Sequence, residues 1–233
     1  MALPVIPRPP SFYRDQFRIG PTRLLCWTLP RRYHELMARI GHTSLSGKFR
    51  DAGAEVSEQE GERIEHTAVT TCQLALLLKA VTATDLLQFS IIEIGSYRGA
   101  TTRALAAATS REVVAIDPYV GDGGHQRDLQ LFEQHTVGLS NVRMLREPSD
   151  RGFDLWGKNP VSLVFIDAIH EYVHAWYDFA AWGSLVPVGG MVAFHDVDQF
   201  PGVNRVCQKI LRDHPEWQPW GYAPNIAIFQ RQS

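Results

Sequence analysis

The apolar positions change period along the chain, and that change predicts an architecture. Over 59–80, "QEGERIEHTAVTTCQLALLLKA" repeats its apolar residues at helical spacing, which predicts one long amphipathic helix. The pattern then shortens. "QFSIIEIG" (88–95) is a β-branched run ending in glycine, followed by the Ala-rich helical "GATTRALAAATS" (99–110) and a second strand "EVVAID" (112–117). Further strands are predicted at "NVRML" (141–145), "SLVFID" (162–167), "GGMVAFHD" (189–196) and "NIAIFQR" (225–231). Helices are predicted in "EYVHAWYDFAAWGSL" (171–185) and "GVNRVCQKILRD" (202–213). Strands alternating with helices, most of them apolar on both faces, predict an α/β fold: a doubly wound, mostly parallel sheet covered on two sides. In such sheets ligands bind beyond the carboxyl ends of the strands, so the residues there carry the functional question.

Residues 86–233 form the expected core, and 1–85 an N-terminal arm and helical cap of the same domain. The first 30 residues, rich in proline and aromatics, read as an extended arm tied down by Phe12, Tyr13, Phe17 and Trp27. With 233 residues, 45% of them hydrophobic, the chain can fill one core. Cys26, Cys72 and Cys207 lie far apart with no C-x-x-C, which suggests neither a disulfide framework nor a thiolate zinc cluster and fits a reducing cytoplasm. "MALPVIPRPP" is too proline-rich for a signal peptide, and "QLALLLKAV" is too short for a membrane span. A soluble cytoplasmic protein is expected.

Charge is unevenly placed. The first 50 residues hold nine Lys/Arg against two Asp/Glu, so the arm is about +7 and the remainder about −9. The arm is either solvated, docked on an acidic body or partner subunit, or a lip that steers an anionic substrate. Nucleic-acid binding is disfavoured, because basic and aromatic residues do not interleave regularly.

Chemistry concentrates at the strand ends. "EIGSYRG" places Glu93, Gly95, Ser96, Tyr97 and Gly99 at a strand-to-helix turn, where bare backbone and helix N–H groups can approach a ligand. A dinucleotide fingerprint fails at its second glycine, where Tyr97 stands. Asp117 ends the second strand 22 residues after Gly95, where an acidic side chain takes ribose hydroxyls. A nucleoside without a pyrophosphate fits both facts.

At this point the sequence resembles a family. "IIEIGSYRGATTRALA", "VVAIDPY", "VFIDAIHEY" and "GGMVAFHD", in that order, resemble class I S-adenosylmethionine-dependent methyltransferases of Rossmann-like fold. Within them the likeness is to metal-dependent small-molecule O-methyltransferases, macrocin-type sugar enzymes first and catechol O-methyltransferase more distantly. It covers residues 88 to about 232. The resemblance implies that Glu93 and Gly95 face the methionine part of the cofactor, that Asp117 holds the ribose, and that Ser149 and Asp150 lie beside the adenine. Ser149 and Asp150 would equally cap the following helix.

Asp167 and Asp196 end two strands 29 residues apart, and neighbouring parallel strands lie about 4.8 Å from each other, so the two carboxylates can share a divalent ion such as Mg²⁺. The resemblance supports that role, with Val197 standing where catechol-type enzymes carry an amide ligand. His195, Asp198 or water would supply the missing bond. His170 falls where the catechol enzyme has its catalytic lysine, and an imidazole near a metal-bound hydroxyl suits a general base. His125, in "GDGGHQ", is a lesser cleft candidate.

His170-Glu171-Tyr172-Val173-His174 also spells the H-E-x-x-H of a zinc hydrolase helix. The longer zincin pattern fails, because Tyr177 and Ala180 stand where it needs glycine and a third histidine. The expected activity is methyl transfer to a hydroxyl of a small molecule, a sugar or glycoside first. The alternatives are a cofactor-binding relative that transfers no methyl, hydroxylase-like, and the zinc hydrolase. A homodimer is the expected assembly.

Overall fold

The computed structural model describes residues 8–9, 44–120 and 124–233. The expected anchors Phe12, Tyr13, Phe17 and Trp27 lie outside the described residues. In chain order the elements are α1 (Ser46–Asp51), β1 (Glu55–Val56), α2 (Thr71–Ala83), β2 (Ser90–Ile94), α3 (Ala100–Ala107), β3 (Val113–Ile116), α4 (Gln126–Thr136) and β4 (Val142–Leu145). They continue with α5 (Ser149–Trp156), β5 (Val161–Ile166), α6 (Tyr172–Gly183), β6 (Met191–His195), α7 (Pro201–Asp213), β7 (Trp217–Ala223) and β8 (Ile226–Arg231).

The strands form one sheet in the order β1-β7-β8-β6-β5-β2-β3-β4. β8 runs antiparallel to both β6 and β7, and the other neighbours are parallel. The predicted α/β doubly wound sheet is therefore observed. The chain winds outward from β2 through β3 to β4, then crosses back to β5 and β6, so the order reverses between β2 and β5. That gap is the switch point where such sheets bind ligands.

β3, β5 and β6 are buried along their whole length, as their unbroken apolar runs require. On one face of the sheet, Phe179, Trp182, Val203, Val206 and Ile210 of α6 and α7 pack with Phe49 of α1. On the other, Leu76, Leu77, Ala80 and Val81 of α2 pack with Leu105 of α3.

The long helix expected over 59–80 is corrected: α2 begins only at Thr71. Burial explains the boundary. Residues 58–68 bury no side chain fully, whereas each buried leucine of α2 contributes about 1.5–3 kcal/mol, more than helix propensity differences can oppose. The capping box of Thr70 and Gln73 marks the true start. The segment before it folds back over that end, with Thr70 Oγ1 donating to Glu60 O at 2.7 Å and Thr71 N to Glu62 O at 2.9 Å. β7, β1, α1 and α4 are further elements that the hydrophobic pattern does not announce. Among the described residues no helix is long and apolar enough to cross a membrane.

The arm is seen at Arg8, which contacts α5: its guanidinium lies 2.5 Å from Asp154 and 3.5 Å from Asp150. At that residue the basic arm meets acidic groups of the body.

Candidate functional site

The site grows from the two central strand ends. Asp167 N donates to Ile94 O at 2.9 Å, so β2 and β5 stay paired to their last residues. Gly95 follows with φ +91°, and a Cβ there would lie 2.1 Å from the Asp167 carbonyl oxygen. Only glycine permits that approach.

Tyr97, which broke the dinucleotide fingerprint, nevertheless adopts the left-handed backbone, φ +46°. Such a conformation costs a non-glycine residue about 1–3 kcal/mol and needs support. Its N–H donates to Asp117 Oδ2 at 3.0 Å, and its carbonyl accepts from Tyr119 Oη at 2.6 Å. Ser96 Oγ lies 3.2 Å from the same Tyr119 hydroxyl. Gly99, φ +77°, opens α3 against Phe132.

Asp117 accepts one backbone N–H at each oxygen, from Tyr97 and from Tyr119 at 2.9 Å, which leaves each oxygen a lone pair for a ligand hydroxyl. Burial, opposed by those two N–H groups, pushes its carboxyl up to about 6. Glu93 is fully enclosed and hydrogen-bonded to Thr102; burial pushes it up to about 8, against the Thr102 bond and helped by the charges of Asp167 and Asp117. Burial thus favours the neutral form of its carboxyl, which can donate as well as accept.

Ser149 and Asp150 are the first two residues of α5, but neither caps it: the N-cap is Pro148 and no side chain makes a capping bond there. The Ser149 hydroxyl turns inward to Asp178 and takes the Trp182 Nε1–H at 3.0 Å, so the side chain is engaged in the core. Asp150 Oδ1 is buried without a hydrogen-bond partner.

Asp167 and Asp196 meet as expected, at the ends of neighbouring β5 and β6, and His170 joins them: one ligand atom from each lies within 4.8 Å of the others. His170 Nε2 is 2.8 Å from Asp196 Oδ2 and 3.8 Å from Asp167 Oδ1. Phe200 stacks on the imidazole at 4.2 Å, and Gly202 lets α7 close on the His170 backbone, where a Cβ would come within 2.1 Å of the carbonyl oxygen. His195 approaches the carboxylates from the core, with Nδ1 3.2 Å from Asp167 Oδ1 and 3.5 Å from Asp196 Oδ1.

Despite these short distances, neither His170 Nε2 nor His195 Nδ1 makes an aligned hydrogen bond. Asp167, His170 and Asp196 thus bring ligand atoms together without an aligned bond at His170 Nε2, which fits the donor set of a cation, and His195 Nδ1 borders the two carboxylates from behind. Burial opposes charge on His170, yet Asp167 and Asp196 raise it to about 9; the same carboxylates overcome burial at His195 and raise it to about 10. Asp167 and Asp196 are also buried, and the two imidazoles hold both well below the usual carboxylate range.

The H-E-x-x-H string is not a helical unit. Glu171 is the N-cap of α6, His170 precedes the helix, and His174 turns into the core at 1% exposure, outside the Asp167–His170–Asp196 group. His125 caps α4, its backbone N–H donating to Asp128 at 3.0 Å.

Three residues of this neighbourhood carry no sequence signal of their own. Asn225, in the β7–β8 turn, donates Nδ2–H to Asp196 Oδ1 at 2.7 Å; Gln73 of α2 accepts from His195; Phe200 stacks on His170. An asparagine after Pro224 hints at a turn, but nothing local says which strand end that turn meets.

A family model described as a methyltransferase domain matches residues 92–197, the stretch from β2 to just past Asp196. Among solved structures, the TDP-rhamnose 3'-O-methyltransferase CalS11 of calicheamicin biosynthesis is similar with a TM-score of 0.53 at 20% identity, over 69% of this chain and 80% of its own. A putative caffeoyl-CoA O-methyltransferase from Staphylococcus aureus gives 0.58 at 15% identity, over 87% and 99%. An rRNA methylase from Streptococcus thermophilus gives 0.55 at 13% identity, over 72% and 99%. At such identities the likeness is one of fold, and those names span a sugar nucleotide, an acyl-CoA and an RNA, so the fold by itself does not choose the acceptor. The matched domain, the sheet order with its switch-point turn, and the fold shared with these solved structures make residues 92–197 similar to a methyltransferase domain on a Rossmann-like sheet.

Proposed function

We propose that the protein methylates a hydroxyl oxygen of a small molecule, a sugar or glycoside, with the help of a divalent cation held by Asp167 and Asp196 and backed by His195. The observation that carries this reading is the convergence of Asp167, His170 and Asp196 beside the Gly95 turn, with His170 Nε2 buried and lacking an aligned hydrogen bond. A divalent ion bound there would supply Lewis-acid polarisation and lower the pKa of an acceptor hydroxyl. Vicinal hydroxyls of a sugar offer it two oxygens, which favours that acceptor class, and the likeness to CalS11 points the same way.

On the cofactor side, Asp117 would accept from the ribose hydroxyls. The turn from Gly95 to Gly99, with Glu93 beneath it, would cradle the methionine part, and the α5 start at Ser149 and Asp150 would border the adenine. His170 is the candidate base. Its pKa near 9 belongs to an imidazole facing uncompensated carboxylates. Once their charge is compensated, the ring returns toward its ordinary range and can take a proton from a hydroxyl at neutral pH.

The test is release of S-adenosylhomocysteine on incubation with S-adenosylmethionine, Mg²⁺ or Mn²⁺, and a panel of nucleotide sugars, glycosides and catechols. Turnover with a glycoside is expected. Cofactor binding without release across the panel would favour the non-transferring alternative.

A further inference from the structure

His195 has a tautomer fixed from outside the site. Gln73 Nε2 donates to Pro224 O at 2.7 Å, while its Oε1 accepts the Thr70 N–H at 2.7 Å, so the amide cannot be turned over without losing both bonds. That same Oε1 lies 3.0 Å from His195 Nε2, which must therefore carry the hydrogen. A neutral imidazole has one N–H, so Nδ1 presents a lone pair.

The lone pair faces Asp167 Oδ1 at 3.2 Å and Asp196 Oδ1 at 3.5 Å, in a residue 1% exposed and with no hydrogen-bond partner for Nδ1. Three electron-rich atoms held this way repel one another unless positive charge lies among them. Without an ion the two carboxylates favour a proton on Nδ1, yet neither is aligned to receive a hydrogen bond from it, so a cation among the three atoms can take that proton's place. A metal ion has no such requirement: two ligands at about 2.1 Å and at right angles stand about 3.0 Å apart. The observed spacings lie close to that, and His170 Nε2 shows the same spacing, 2.8 Å, to the other oxygen of Asp196.

We propose that His195 Nδ1 is a metal ligand presented by Gln73, and that the resulting mixed nitrogen and oxygen site selects a first-row transition ion, such as Mn²⁺ or Co²⁺, over Mg²⁺. The inference rests on the reading that Asp167 and Asp196 bind a cation. Magnesium favours all-oxygen surroundings, whereas imidazole nitrogen suits the transition ions. Gln73 is a positioning residue, acting on the ion only through His195.

The experiment uses the full chain freed of metal by a chelator, titrated calorimetrically with Mg²⁺, Mn²⁺ and Co²⁺, with electron spin-echo spectra of the Mn²⁺-loaded protein. Expected are Co²⁺ affinity at least about 100-fold above that for Mg²⁺ and a nitrogen coupling to the bound Mn²⁺. The coupling persists in His170→Ala. Gln73→Leu lowers Co²⁺ affinity about tenfold or more with little change for Mg²⁺, and Gln73→Glu, which keeps the acceptor, retains it. A Mn²⁺ spectrum free of nitrogen coupling, or a coupling that vanishes in His170→Ala, overturns the assignment of His195 while leaving a metal site in place. Failure of every ion to bind, with S-adenosylmethionine still bound, overturns the metal reading as well.

Discussion

Asn225 donates its side-chain N–H to Asp196 Oδ1 across 2.7 Å, while its own amide oxygen accepts the backbone N–H groups of Asp198 and Gln199 at 3.1 and 3.2 Å. One asparagine thus holds both a candidate ligand and the turn that follows it. Both residues have left-handed backbone, φ +62° at Asp196 and +70° at Asn225, so neither geometry maintains itself. With Oδ1 held by Asn225, Asp196 keeps Oδ2 toward His170.

Replacing Asn225 by Ala should therefore weaken divalent-metal binding by about tenfold or more, the usual scale for losing a partner that orients a ligand. S-adenosylmethionine affinity should stay within about twofold, since the cofactor side of the cleft is untouched. Calorimetry with each ligand on the folded variant decides it; unchanged metal affinity would leave Asn225 a turn residue only.

What the sequence revealed follows from chain locality. Asp117, Asp167 and Asp196 each follow an apolar strand run and Glu93 lies one residue inside the end of another, so strand pattern and candidate site are legible together. Asn225 and Gln73 escaped because sheet order alone brings them in: β8 pairs with β6, which sets the β7–β8 turn beside Asp196, and Gln73 meets His195 across 122 residues of chain. β7 was hidden by Pro219 and Gly221, residues that argue against a strand, and the register shifts between them. The misplaced helix over 59–70 has apolar residues at suitable intervals, but among them only Val69, next to the true start of α2, is buried in the core.

Asp117→Ala should reduce S-adenosylmethionine affinity by about 1–3 kcal/mol, the scale for charge-assisted hydrogen bonds. The same change frees the N–H groups of Tyr97 and Tyr119. Asp117→Asn, which keeps acceptor oxygen on one side, should lose less. Unchanged binding in folded Asp117→Ala would remove the residue from the cofactor site.

The pH dependence of the ligand-free protein has a fixed sign. Burial raises Asp178 to about 7, against the Ser149 hydrogen bond and with the help of the Asp150 charge. A carboxyl raised in the folded state gives stability that is complete below its unfolded pKa and lost as pH climbs toward 7. Asp117 and Glu93, raised to about 6 and about 8, act in the same sense. His170 and His195 extend the loss toward pH 9 to 10. Chemical denaturation should show stability falling steadily from pH 5 to pH 9. Asp178→Asn should gain on the order of 2 kcal/mol over the parent at pH 8 relative to pH 5. A difference independent of pH would show that Asp178 is ionised throughout.

Divalent-ion removal gives a direct check on the carboxylate pair. EDTA should abolish methyl transfer and added Mg²⁺ or Mn²⁺ should restore it. Asp167→Asn and Asp196→Asn should each require much more metal, because a direct ligand cannot be spared by a catalytic ion. Full activity in the chelator would reject the metal role and leave the cofactor side standing.

The three residues of H-E-x-x-H should separate by the kind of damage their loss causes. A zinc unit would make all three comparably ruinous to turnover. In the structure only His170 faces Asp167 and Asp196, so His170→Ala should lower kcat by about 10²–10⁴ while S-adenosylmethionine still binds. Glu171 caps α6 half in solvent, and its alanine variant should keep turnover within about tenfold. His174 is buried in α6, so His174→Ala should cost about 2–4 kcal/mol of stability through the cavity it leaves, yet turnover per folded molecule should again stay within about tenfold. Urea midpoints measured beside kcat keep the two effects apart. A folded His174 variant as inactive as the His170 variant would reject this division of roles.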